Sequence, residues 1–391
     1  MEGYPIPPPA TPVAPTTLPI PLPPAQTAFP VPAPQPRVRM WPVLLTLYFL
    51  SPMVGEVMSG STPPLLFIQP FGFIFTPLLY GSSAILIREI VVRRRLGWGN
   101  VLVLGAGFGI FQEALVVQTW FNFMAKSAPS YMHGKYSVLW GIDWAWALNL
   151  TVYHAVISIC VPLILLSLFF PRRAALPGLG AKRAIALLAW LIIPCGLLAI
   201  GVATKQFAKQ GYTGPPLTGY LIACGLLLVT LLVGSFVRFP APRPRPDKKA
   251  PRPFTLGLTV FGLTTLFFVT DFLLPAIKPP VPITLLVAVG AFAFSLWRVR
   301  SWSARAGWNE RHHLAIAMGV LSYFLFVWAP LIEFVLHFPL REGLTIFDAL
   351  AMSGLVIFGW RLKRRITRAS RAELENHYYG QTSYGQTQQQ A

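Results

Sequence analysis

The sequence predicts an all-α fold, a polytopic integral membrane helix bundle of about ten transmembrane helices. Three observations predict it. The 391 residues are 54% hydrophobic and only 12% charged, where soluble domains carry roughly 25% charged residues. Apolar runs recur at about the ~20 residues a helix needs to cross a bilayer. The net charge of +19 is distributed between the runs in a way that follows membrane topology.

The runs lie at about 41–60, 71–92, 100–121, 143–170, 183–203, 216–238, 254–275, 281–299, 313–336 and 343–360. They are uniformly apolar, whereas barrel strands would be ~10 residues long with alternating polarity. The segment "PPLLFIQP" at 63–70 is too rich in proline for a helix interior, and is expected at the interface or dipping into it. With the N-terminus placed inside, 25 of the 32 lysines and arginines fall in inside segments. Only Lys126, Lys135, Lys205, Lys209, Lys278 and Arg341 fall outside, and Arg88 lies within a span. That bias predicts both termini on the cytoplasmic side of a cell membrane. It also assigns the positive charge to topology and anionic lipid, which argues against nucleic-acid binding.

Three domains follow. Residues 1–39 hold 14 prolines and favour extended, disordered polyproline. This is a cytoplasmic tail that could offer a docking motif to a protein partner. Residues 40–365 form the transmembrane domain, with its polar residues crowded into 41–173. Residues 366–391 make a second, polar cytoplasmic tail that reads as disordered. Cys160, Cys195 and Cys224 sit inside apolar runs and read as small buried hydrophobes rather than a disulfide framework.

The stretch "GAGFGIFQEALVVQTWFNF" at 105–123 places Gln112 and Glu113 in the middle of an apolar run. A carboxylate at the bilayer centre costs roughly 2.5–3.5 kcal/mol, so an intramembrane acid marks a candidate site. Four residues qualify: Glu56, Glu113, His154 and Asp271. Counted from the inner edge at ~1.5 Å per residue, all four lie about 20–25 Å deep, in the outer half of the bilayer. Gly105, Gly109 and Glu113 share one side of the third helix, and glycines at that spacing let another helix approach. Thr151, His154 and Ser158 share a face of the fourth. Pro52 is placed to kink the first span four residues before Glu56. His154 is therefore the expected partner of Glu113.

Other polar residues read as structural. Arg88 is expected to reach toward the interface and Glu89 to pair with Arg93 one turn on. Glu333 and Asp348 fall near span ends and are expected at the interface. Glu333 and His337 could share a metal, but two ligands do not make a site. No cofactor or metal is implied: "GAGFG" lacks the third glycine of a dinucleotide loop and opens no βαβ unit.

The runs "SPMVGEVMSGSTPP", "LLYGSSAILIREIVVRR", "GFGIFQEALVVQTWFN" and "WAWALNLTVYHAVISICVPLILL" resemble a group of uncharacterised prokaryotic multi-pass membrane proteins over about residues 41–173. That resemblance carries no activity. A weaker likeness is to the CAAX-processing and bacteriocin-protection (CPBP) intramembrane proteases, which pair an EExxxR motif with histidines on later helices. Here Glu113 matches the second glutamate, while Gln112 and Val117 stand at the first glutamate and the arginine. His154 stands at a later histidine, with Leu150 at the aromatic position before it. Three function classes follow: a transporter or permease-like protein of unknown substrate, a CPBP-like intramembrane hydrolase, and a non-catalytic membrane scaffold or partner subunit.

Overall fold

The structure is a computed structural model that describes residues 39–121, 136–201, 214–337 and 341–388, apart from the side chains of 271, 272, 276 and 368–388. Ten apolar helices are present among them. They are α1 (Trp41–Val57), α2 (Pro70–Arg94), α3 (Trp98–Val116), α4 (Trp144–Phe169), α5 (Ala181–Gly201), α6 (Leu217–Phe236), α7 (Pro253–Pro275), α8 (Val281–Ser303), α9 (Glu310–Val335) and α10 (Leu344–Thr367). Nine are long and apolar enough to cross a membrane, and α1 is the shorter one. At 1.5 Å per residue α1 reaches ~25 Å, less than the ~30 Å hydrocarbon core. The apolar run expected to 60 stops early as helix. After Val57 the chain turns, with the Ser59 hydroxyl donating to the Glu56 carbonyl at 2.9 Å. The segment 63–70 forms a single helical turn, Pro64–Phe67, with Leu65 and Ile68 exposed.

Helices α2, α3 and α4 are mostly buried, whereas α5, α6, α7, α8 and α10 expose most of their apolar surface. The molecule thus has a central group, α1–α4 with α9 alongside, and a lipid-facing periphery. Exposed residues such as Leu197, Leu221, Leu286 and Trp297 are what hydrocarbon solvates.

Close approach in the centre is made by glycines. A Cβ added at Gly81 would lie 2.2 Å from the Tyr48 carbonyl oxygen, the carbonyl left without its intrahelical donor by Pro52. Added at Gly105 it would meet the Ala155 backbone at 2.9 Å, and at Gly109 the His154 Cβ at 3.0 Å. The glycine face expected on α3 therefore seats α4 directly against it.

Polar contacts sort the helix ends into two faces. On one, Arg88 donates to the carbonyls of Ala174 (2.8 Å) and Leu176 (2.6 Å). On the same face Asn100 donates to Gly234 (2.9 Å) and Val237 (2.7 Å). A short parallel ribbon there joins Arg245–Lys249 to Arg305–Ala306, and Arg365 reaches Glu310. On the other face Trp328 donates to Ser59 O at 2.8 Å and Arg341 to Gly60 O at 3.0 Å. Tyr136 there reaches Pro279 and Thr284. The first face carries the arginine-rich connections that the charge pattern grouped together.

Candidate functional site

The polar residues of the central group stand where the helices depart from α geometry. Each of α1–α4 is interrupted by a π-helical turn, Met53–Val57 in α1, Pro77–Gly81 in α2, Phe111–Val116 in α3 and His154–Cys160 in α4, and α9 has two more, Phe324–Trp328 and Leu331–Val335. Glu56 is on the first, Tyr80 on the second, Gln112 and Glu113 on the third, His154 and Ser158 on the fourth. Single π turns occur preferentially at functional positions, and proline accounts for part of this pattern. Pro52 precedes the first turn and Pro77 opens the second. Pro162 follows the fourth. Lacking an N–H, it leaves the Ser158 carbonyl free. That carbonyl accepts the Ser51 hydroxyl at 2.7 Å.

Two hydrogen-bonded units result. In the first, Glu113 Oε1 meets His154 Nε2 at 2.9 Å, and Thr119 donates its hydroxyl to Glu113 Oε2. The other imidazole nitrogen, Nδ1, lies 2.9 Å from Ser158 Oγ. With the proton on Nε2 every group is served: imidazole and threonine donate to the carboxylate, and the Ser158 hydroxyl donates to Nδ1. Glu113 is 6% exposed, His154 2% and Ser158 0%.

In the second unit Glu56 accepts from Thr62 Oγ1 at 2.9 Å and from the Tyr80 hydroxyl. The Gln112 amide donates to that same hydroxyl oxygen. Glu56 is only part-buried. It is followed by the Ser59, Ser61 and Thr62 turn, so this unit is the one that reaches toward the face opposite the arginines. The units meet through rings: Tyr80 and His154 have centroids 5.8 Å apart, and Phe108 packs edge-on against both. Tyr153 packs on His154 and donates to the Gly55 carbonyl at 2.6 Å.

All four oxygens of Glu56 and Glu113 thus receive a protein donor. Polar groups taken out of water are tolerated when their hydrogen bonds are met in this way. Among the described residues no three His, Cys, Asp or Glu side chains group as a metal site.

The sequence-predicted residues fall unevenly. Glu113 and His154 are direct partners, and Glu56 belongs to the neighbouring unit. The side chain of Asp271 lies outside the described residues. Thr151, expected on the same face, bonds the Ala147 carbonyl of its own helix at 2.7 Å. Tyr80, Thr62 and Thr119 were not anticipated. The signal for Tyr80 was a phenol three residues after Pro77 inside an apolar run.

Four structural expectations, for Arg88, Glu89, Asp348 and Glu333, are refined by the structure. Arg88 reaches the connection at the end of its helix, but it is enclosed by protein there rather than exposed. It is fully buried, because the 173–176 loop folds back to supply its carbonyl acceptors. Glu89 pairs with Arg93 at 2.7 Å as expected, and also accepts the backbone N–H groups of Gly178 and Leu179. Asp348 is near the start of α10 as expected, but its carboxylate is completely buried and has no hydrogen-bond partner among the described residues. Glu333 caps the start of α10, accepting from Gly343 N at 2.7 Å and Thr345 N at 2.8 Å. Its oxygens are therefore taken.

Fold and cluster define a polytopic α-helical membrane protein whose buried acidic and imidazole groups converge between four central helices. A sequence model described as an uncharacterized membrane protein family matches residues 44–359. The chain belongs to that family. The match runs well past the 41–173 resemblance read from the sequence and takes in α5 through most of α10. No curated protein and no solved structure matches the chain.

Proposed function

We propose that the protein is a transporter or permease-like protein whose substrate or coupling ion engages the Glu56–Tyr80–Gln112 and Glu113–His154–Ser158 units. The observation that carries the reading is their position. Two carboxylates and an imidazole stand together on the π turns of α1, α3 and α4, with Tyr80 on the π turn of α2 bonded to Glu56, which is only part-buried. Ionisable groups at membrane depth are costly and mark ion and substrate pathways. Breaks in transmembrane helices supply the free backbone groups such sites use. In this reading Glu56 is the group that meets the outer aqueous phase. Tyr80 and Gln112 tie it to the interior, and the Glu113–His154 pair holds or releases a proton. The arginine-rich face is cytoplasmic, and both termini lie on that side.

A hydrolase is the second reading, favoured by one observation. Hydroxyl, imidazole and carboxylate are aligned from Ser158 through His154 to Glu113, the order of a nucleophile, its base and an orienting acid. It ranks below transport because Ser158 is sealed: a Cβ added at Gly55 would lie 2.6 Å from its Oγ, leaving no room for a carbonyl carbon. The test is purification, reconstitution into liposomes and a screen of labelled solutes with and without a pH gradient. Transport predicts saturable uptake of at least one solute class by protein-containing vesicles. Absence of flux across the screen, together with cleavage of an added lipid or peptide, would move the assignment to hydrolysis.

A further inference from the structure

The connection between α6 and α7 reads "PAPRPRPDKKAPRP" from 240 to 253. Prolines cannot donate to a ladder and hold the chain extended. Alternation in an extended chain puts Pro242, Pro244 and Pro246 on one side and Arg243 and Arg245 on the other. The segment is anchored at both ends. Arg245 N bonds Ala304 O at 2.8 Å and Ala250 N bonds Ala306 O at 2.9 Å, while Arg300 donates to Pro240 O at 2.6 Å. The register of this parallel ribbon sets Arg245 directly opposite Arg305.

Like charges directly opposite on paired strands are destabilising. Here the neighbourhood supplies little negative charge to offset them. Residues 238–252 hold six basic side chains and one acid, Asp247, and nearby Glu310 is bonded to Arg365. Arg305 is half-buried, and its Nε has no hydrogen-bond partner among the described residues. Two arginines at paired strand positions, one with an Nε that has no partner among the described residues, suit a phosphate, whose oxygens can accept from both. The depth identifies the phosphate's carrier. The ribbon sits at the ends of α6, α7 and α8, where Trp297 is exposed and Arg298 lies 4.3 Å from the centre of the Trp302 ring. Exposed tryptophan with arginine marks the headgroup level of a bilayer.

We infer that Arg245 and Arg305 form a headgroup site for one anionic phospholipid, whose phosphodiester bridges the two guanidinium groups. Part of the positive charge that records topology thus also holds a bound lipid in register with the α6–α7 and α8–α9 connections. Removing either arginine weakens lipid binding without weakening the fold, since their juxtaposition costs energy when no anion is present.

The experiment uses the full chain purified in a mild uncharged detergent. Native mass spectrometry and thermal unfolding are recorded with phosphatidylglycerol, phosphatidylcholine and inorganic phosphate as separate probes. Retained phosphatidylglycerol and a raised unfolding temperature are expected for the native protein, with little effect from phosphatidylcholine or free phosphate. R245Q and R305Q should each lower phosphatidylglycerol occupancy by about tenfold, the loss expected for a charge-assisted hydrogen bond. Both should unfold at or above the native temperature when no lipid is added. The double variant K182Q/R183Q, on the same face, should bind as the native protein does. The inference is overturned if that control loses as much lipid, if free phosphate stabilises as well as the lipid, or if either single variant is less stable without lipid.

Discussion

Glu113 makes its case through its neighbours. Thr119 and His154 occupy its two oxygens, so the carboxyl group keeps its hydrogen bonds where it is buried from water. Glu113→Gln keeps the shape and can keep both contacts by rotating the threonine hydroxyl. Membrane hydrogen bonds are worth about 0.6 kcal/mol on average. The variant should therefore insert normally and lose no more than ~1 kcal/mol, read by thermal unfolding in detergent. Arg88 differs, since it holds a loop rather than a site. Arg88→Met strands three carbonyls and Glu89, and should cost on the order of 3 kcal/mol. An unfolding temperature equal to the native one would contradict its role as the pin of the 173–179 loop. The Glu113–His154 pairing was legible because both residues are rare in hydrocarbon and their depths could be counted from the chain. Tyr80 was not, because a phenol reads as apolar until its hydroxyl is seen on Glu56. Thr62 and Thr119 were not either, because they lie beyond the helix ends and enter only through the fold.

Helices α1 to α4 show what the apolar periodicity carries and what it omits. Their positions follow from hydropathy, and nine of the ten spans appear at close to the expected bounds. The π turns do not follow from it. They arise where proline removes a donor or where glycine lets two backbones touch, and a hydropathy average is blind to both. Gly81 is the sharpest case, since its missing side chain leaves room for the Tyr48 carbonyl. Gly81→Ala must push α1 and α2 apart. It should lower stability by about 1–3 kcal/mol, as overpacking does, and reduce the folded yield. Gly262 on α7 has open space around it, so Gly262→Ala should leave the unfolding temperature unchanged or slightly raised. Equal losses for the two variants would show that α1 and α2 are not packed backbone to backbone.

At the scale of the whole molecule, hydrogen bonds gather the arginine-rich connections on one face, the face placed in the cytoplasm by the proposed orientation. Reporter fusions after Arg95, after Lys126 and after Arg365 should read inside, outside and inside. An outside reading at Arg365 would contradict the proposed orientation. The central claim is that the buried cluster works rather than merely packs. One paired measurement separates the two: solute uptake and thermal unfolding of native protein and Glu113→Gln, each reconstituted into the same liposomes. The account predicts matching unfolding temperatures and loss of uptake in the variant. Uptake by Glu113→Gln at the native rate, with the fold intact, would contradict it and leave the cluster a packing device.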